Sequence, residues 1–334
     1  MKYQNIKTSI IEQFKAPRGN VVVPFILGAP GGGKSACARE VIASLDIPPE
    51  RVVEFTASLR DPVDVMGTPS NRGDFTRWTP PEEFYNLRSG VGKSALILEE
   101  LSDAPVPMQN ALCSVIYDRR AGNLQLSDQL FIIATGNRTE DKSGANRITS
   151  KLAGRTRRFD FSENIDDWTV WALDNDIDPV LIQFLRFRPG LLSDFDANRF
   201  ANPTPRTWER VNLIPESLAK DLFYENVAGE VGEAAAAEYT GFRKIYASLP
   251  DVDSVLLSPD TAEVPTDPAT LFALTGALAN KATKDNFDRV TKYTARLPRE
   301  FDVMCTKDAI GKTPDIRRTR SFIEWASRNA EVLM

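Results

Sequence analysis

The 334-residue chain contains no histidine. Catalysis by Ser–His–Asp or Cys–His groupings is thereby excluded, as are metal sites built on imidazole. Cysteine is nearly as scarce. Cys37, Cys113 and Cys305 lie far apart, with neither a disulfide framework nor metal-ligand spacing, which fits a reducing compartment. Long apolar runs are missing too. The opening "MKYQNIKTSI" has no apolar signal core, and "VVVPFIL" at 21–27 falls far short of a membrane span. The expectation is a cytoplasmic protein with no membrane partner.

No strong charge of either sign is present. The net charge is −5 and the sequence pI about 5.2, which argues against a chain built mainly to coat nucleic acid. The distribution is uneven, however. Residues 1–162 carry 21 basic and 18 acidic side chains, whereas residues 163–334 carry 20 and 28. The first half can therefore host an anion, and the second is acidic. The length suggests two domains of roughly 150 residues each.

What is present, from the start to residue 162, is alternation. "VVVPFIL" reads as a buried strand whose useful part Pro24 restricts to about 25–27. "KSACAREVIASL" (34–45) reads as a helix, "RVVEFTAS" (51–58) as a second strand and "SALILEE" (94–100) as a third. "VPMQNALCSVIYDR" (106–119) has helical spacing, "QLFIIATGN" (129–137) is a fourth strand and "RRFDF" (157–161) a fifth. Apolar strands alternating with helices predict an α/β fold with a parallel five-stranded sheet covered on both faces. Residues 163–334 read as mostly helical. "DPVLIQFLRF" opens with Asp178 as cap and Pro179 in the first turn, and "PTPRTWERVNLI" repeats that device with Thr204 and Pro205. Residues 248–270, rich in Pro, Asp, Ser and Thr, read as largely loop. "PATLFALTGALANKA" and "DIRRTRSFIEWASRNAEVL" read as the last clear helices.

The strongest motif is "GAPGGGKS" at 28–35, between the first strand and its helix. It fits G-x-x-x-x-G-K-[ST], the phosphate-binding loop. Glycines let the backbone take positive φ and approach a phosphate closely, and the loop amides with the helix N-terminus then face the anion. Gly28, Ala29, Pro30, Gly31, Gly32, Gly33, Lys34, Ser35 and Ala36 are the expected nucleotide-binding residues. Lys34 is expected to reach the β- and γ-phosphates, and the Ser35 hydroxyl to bind Mg²⁺. "ALILEE" then ends an apolar strand in two acids. Glu99 is the expected metal residue and Glu100 the residue that polarises the attacking water. Asn137, ending "IIATGN", has an amide suited to bonding that water and the γ-phosphate; taken alone, a turn-forming Asn is the simpler reading.

Residues 138–158 hold seven basic side chains (Arg138, Lys142, Arg147, Lys151, Arg155, Arg157 and Arg158) against Glu140 and Asp141. A solvated basic face is one reading. The other is that Arg157 and Arg158, with Arg155 in reserve, reach the γ-phosphate of a neighbouring subunit, a contribution of about 10³–10⁵ in rate. Arg206, just after Pro205, reads either as a surface arginine or as one that reaches nucleotide from the helical half.

In this order, these elements resemble the AAA+ ATPases, and within them the MoxR family. "EELSDAPVPMQNALCSVIYDRRAGNLQL" is similar to that family's stretch after its catalytic acids. "FIIATGN" resembles its sensor 1 strand, "TRRFDF" its arginine-finger segment, and "PTPR" its sensor 2, with Arg206 at the matching position. "RDPVDVMGT" through "GDFTRWTPPEEF" (60–84) resembles its insert before the catalytic strand. Three features depart from the pattern. Glu99 stands in place of the usual Asp, Asp103 stands where Arg is common, and residues 216–334 run past the usual lid without an assigned role. The resemblance implies strand order 5-1-4-3-2, an ATPase core at 1–162 and a helical lid with extension at 163–334. It also implies ATP and Mg²⁺ as cofactors, a homo-oligomeric ring with a hexamer as the expected form, and a protein client, often one carrying a von Willebrand factor A domain. On this reading the insert and the hairpin expected in "YDRRAGNLQLSDQL" act on the client. One rival is a nucleic-acid motor or restriction-type translocase subunit, with Arg72, Arg77, Arg119 and Arg120 lining a basic channel. A nucleotide-binding scaffold with little turnover is another, and a small-molecule kinase a more distant one.

Overall fold

The computed structural model describes residues 1–141, 146 and 148–333, apart from the side chains of 332 and 333. Lys142 and Arg147 of the basic run lie outside the described residues. The chain divides into two compact units, Met1–Asn164 with Phe195–Arg199, and Ile165–Asp194 with Phe200–Met334.

The first unit is built on five strands: β1 (Val23–Leu27), β2 (Val52–Thr56), β3 (Ser94–Glu99), β4 (Leu130–Gly136) and β5 (Thr156–Asp160). All pair in parallel, and the order across the sheet is β2-β3-β4-β1-β5, the expected 5-1-4-3-2 read from the other edge. Alternate side chains supply two cores. Phe25, Leu96, Leu98, Ile132 and Ala134 face one side, and Ile26, Ala95, Ile97 and Ile133 face the other, as the two-residue period of a strand requires. β1 is longer than Pro24 suggested. Its pairing with β4 begins only at Phe25↔Ala134, so the proline sits where no ladder is needed on that side.

Helix α1 (Tyr3–Lys15) was not apparent from composition. It buries Ile6, Ile10 and Phe14, one face at four-residue spacing. Its core is shared with α2 (Lys34–Ala43), which buries Lys34, Cys37, Ala38, Val41 and Ile42. Helix α3 (Val106–Cys113) ends sooner than the spacing suggested and widens into a π-turn at Ser114–Asp118. The insert forms a hairpin, Thr68–Asn71 against Thr76–Thr79. The second expected hairpin is also present, pairing Arg120 with Gln125 and Ala121 with Leu124. A Cβ on Gly122 would lie 2.3 Å from the Met66 carbonyl oxygen, so the two segments meet.

The second unit shows no strand among the described residues. One core gathers Phe184, Trp208, Tyr239 and Phe242; another gathers Leu274, Leu278, Phe287, Tyr293 and Cys305. Helix Pro268–Lys281 serves both, with Ala273 in the first and Leu274 in the second. The expected loop at 248–270 contains helix Val252–Leu257. The polar residues that suggested a loop act as caps. Asp251 accepts from the amides of Asp253 and Ser254, and Asp267 caps the following helix ahead of Pro268. Helices Lys220–Val231, Phe287–Thr294 and Arg299–Lys312 were not picked out from sequence. The last expected helix begins as a 3₁₀ turn at Pro314–Arg318 and restarts at Arg320, where Thr319 caps it.

Candidate functional site

The register sets the site. Leu27 at the end of β1 pairs with Gly136 at the end of β4, and Glu99 at the end of β3 lies beside Thr56 at the end of β2. Side chains that follow β1, β3 and β4 therefore converge at one edge, where open α/β sheets bind ligands.

The loop at 28–35 turns through glycines in the left-handed region, Gly31 at φ 74° and Gly33 at φ 104°. Side chains there would strain the backbone. Gly33 caps α2. Lys34 is buried, and its Nζ donates to the carbonyl oxygens of Gly28 (3.0 Å) and Ala29 (2.7 Å) and to Asn137 Oδ1 (3.0 Å). The Ser35 hydroxyl donates to Glu99 Oε2 at 2.7 Å, and the Thr135 hydroxyl donates to the same oxygen. Glu99 is 8% exposed, and its Oε1 is buried without a hydrogen-bond partner among the described residues.

That orphaned oxygen tests the metal expectation. A buried carboxylate oxygen beside a serine hydroxyl, hard donors both, fits Mg²⁺. Among the described residues no group of three or more His, Cys, Asp or Glu could hold a metal. Ser35 and Glu99 would thus hold Mg²⁺ only with phosphate oxygens and water completing the shell, the usual arrangement for that ion.

Glu100 is exposed and sits at φ 53°, a strained value for a residue with a side chain. The turn is held by the Leu101 amide donating to the Thr135 carbonyl oxygen (2.9 Å). Glu100 Oε2 accepts a hydrogen bond from the Ser58 hydroxyl, just after β2. Asn137 is held at three points. Its backbone amide donates to Ser102 Oγ (2.7 Å), its Nδ2 to Asp103 Oδ2 (2.8 Å), and its Oδ1 accepts from Lys34. Burial pushes the Asp103 carboxyl above its ordinary range, against the opposing bonds from Ser102 and Asn137.

The structure thus forms two hydrogen-bonded pairs, Lys34–Asn137 and Ser35–Glu99, side by side at consecutive loop residues, with Glu100 next to Glu99 in the chain. The arginines part company. Neighbours on a strand point to opposite faces. Arg157 donates to Gln13 of α1 (2.9 Å), while Arg158 pairs with Asp160 and lines a cavity of about 250 Å³ with Leu27, Ser102, Asn137 and Arg138. Arg155 lies over the Tyr117 ring, 4.7 Å from its centroid. Arg206 is exposed at the start of helix Pro205–Val211 in the second unit. Arg119, offered above as a channel residue, turns inward and donates to the Asn20 carbonyl oxygen. Burial lowers its guanidinium to about 10.

Sequence reasoning missed Ser58, Ser102, Thr135 and Glu163. A hydroxyl next to a strand end carries no periodic signal. Glu163 is the clearest case. A Cβ on Gly32 would lie 2.0 Å from its Oε1, so the bare glycine makes room for this carboxylate. That oxygen is buried without a partner among the described residues, and burial raises the Glu163 carboxyl.

No family model and no curated protein matches the sequence. Several solved structures align with it at low identity. NtrX from Brucella abortus aligns at 14% identity and a TM-score of 0.42, over 96% of this chain and 64% of that one. The chain thus spans less than two thirds of NtrX. A RuvB variant from Thermotoga maritima aligns at 14% identity, TM-score 0.41, over 91% and 88%. A DNA polymerase III gamma subunit-related protein from Thermotoga maritima aligns at 11% identity, TM-score 0.37, over 92% and 98%. Among the described residues no helix is long and apolar enough to cross a membrane.

Proposed function

We propose that this chain is an Mg²⁺-dependent ATPase of the AAA+ type. The observation that carries the reading is the two bonded pairs Lys34–Asn137 and Ser35–Glu99, on residues that follow or end β1, β3 and β4, with one Glu99 oxygen buried and unpartnered among the described residues. The loop amides and Lys34 bind the phosphates, Lys34 exchanging the Gly28 and Ala29 carbonyls for phosphate oxygens. Mg²⁺, when bound by Ser35 and Glu99, would neutralise phosphate charge. Glu100 takes the proton of the attacking water, for which its carboxylate must leave the Ser58 hydroxyl. Asn137 orients that water.

The MoxR-like part of the reading is a ring, with six subunits as the working number, that remodels a protein client, a von Willebrand factor A domain protein being the first candidate. One arginine of 155, 157 and 158 completes a neighbour's site, and Arg206 reports the nucleotide to the helical unit. The insert and the adjoining 120–125 hairpin contact the client; Phe75, exposed near the insert's tip, supports this. A nucleic-acid channel is less well supported, because Arg119 is engaged inside the fold.

Phosphate release from Mg²⁺-ATP tests the reading. Glu100→Gln should lower kcat by about 10³-fold while ATP still binds, and Lys34→Ala should abolish binding. Excess Arg158→Ala protein should suppress wild-type activity more than dilution does. A wild-type chain with no affinity for Mg²⁺-ATP overturns the proposal.

A further inference from the structure

Asn137 has two unlike neighbours, and together they fix its amide. The lysine ammonium can only donate, so Oδ1 faces Lys34 (3.0 Å); an ionised carboxylate can only accept, so Nδ2 faces Asp103 (2.8 Å). The Asp103 segment is itself well anchored. Its other oxygen accepts from the Ser102 hydroxyl (3.1 Å), and the Asn146 amides donate to the Ser102 (2.8 Å) and Asp103 (3.0 Å) carbonyl oxygens. A phosphate oxygen brought to Lys34 is an acceptor, so in this arrangement it meets another acceptor, Asn137 Oδ1. To donate to phosphate the amide must turn over. Its Oδ1 then faces the Asp103 carboxylate, again acceptor against acceptor, unless Asp103 carries a proton.

We infer that Asp103 is a positioning residue that holds the Asn137 amide turned away from the nucleotide and so restrains turnover. The inference rests on the ATPase reading. Substitution by asparagine removes the restraint, because an amide can meet either end of Asn137.

Asp103→Asn should raise kcat about tenfold, the scale of one charge-assisted hydrogen bond, with KM for ATP little changed. The kcat ratio of variant to wild type should be largest where Asp103 is ionised and shrink as pH falls. The charged groups facing Asp103 among the described residues, Glu100 and Lys34, are common to both proteins and cancel in that ratio. In an Asn137→Ala background the substitution should do nothing. Unchanged kcat, a loss as deep as that of Asn137→Ala, or an acceleration that persists without Asn137 would each overturn the inference. Asp103→Ser serves as the second variant should the asparagine chain fold poorly.

A measurement without turnover separates this from failure of the ATPase reading. In nucleotide-free protein labelled with ¹⁵N-asparagine, the Asn137 side-chain amide signal should shift as Asp103 titrates and stay still in Asp103→Asn. A pH-invariant wild-type signal overturns the assignment whether or not the chain hydrolyses ATP. Inactive wild type with a titrating signal overturns the ATPase reading, and with it the restraint on turnover, while the amide assignment stands.

Discussion

Buried carboxylates are treated in opposite ways in the two units. In the helical unit Asp308, 6% exposed, takes a two-pronged bond from Arg186 and a third from Gln183 Nε2. Asp302, 4% exposed, is bonded by Thr294, Asn329 and Arg328. Each has its arginine. In the sheet unit Glu99, at 8%, is bonded by two hydroxyls and by no basic side chain among the described residues, and one oxygen is left over. A buried carboxylate without a bonded cation is costly; on the proposed reading, bound Mg²⁺ would supply that cation. The helical unit uses its acids to join helices distant in sequence; on the proposed ATPase reading, the sheet unit's acid serves a ligand instead.

Substitutions can break or sharpen this contrast. The largest effect belongs to Arg186→Met, which leaves Asp308 buried without its cation. Unfolding in urea should show a loss of about 3–5 kcal/mol; a loss under ~1 kcal/mol would mean that the pair does not hold the helices. Glu99→Gln should do the reverse. Stability should hold or rise, while Mg²⁺-dependent turnover falls about a hundredfold, or ~2.7 kcal/mol of barrier. If stability falls as it does for Arg186→Met, Glu99 is a structural acid and the contrast disappears.

The smallest effect tests Glu163, whose carboxyl burial raises. Its charged form is therefore disfavoured by folding, and the destabilisation is present at pH 7 and lost as pH falls through the folded pKa. Glu163→Gln should add about 1 kcal/mol at pH 7. That gain should vanish below the unfolded carboxyl's pKa of about 4.3. A gain independent of pH would rule out desolvation as its source.

Much of the sheet unit was legible because its signals are local. Apolar runs marked five strands, and Gly31, Gly33, Lys34 and Ser35 announced the loop through spacing alone. The acids ending β3 and the Asn ending β4 stood out against apolar neighbours. The helical unit was harder to read. Helix Arg299–Lys312 buries Asp302, Thr306 and Asp308 as well as Phe301 and Cys305, so its buried face is not an apolar stripe, and periodicity misses it. Val252–Leu257 was hidden by the polar caps that define its ends.

By itself the sequence determined the strand–loop–helix that can cradle a phosphate, the acids that end β3 and the absence of any imidazole chemistry. These follow from residue type at short range, where φ preferences and spacing act alone. Only the tertiary structure decided that Ser35 and Thr135 share one oxygen of Glu99, that Asp103 rather than solvent meets the Asn137 amide, and that Glu163 fills the space beside Gly32. Such contacts join positions from 34 to 131 residues apart in the chain. Hydrogen-bond direction and desolvation, which set their chemistry, exist only once the sheet has brought the strand ends together.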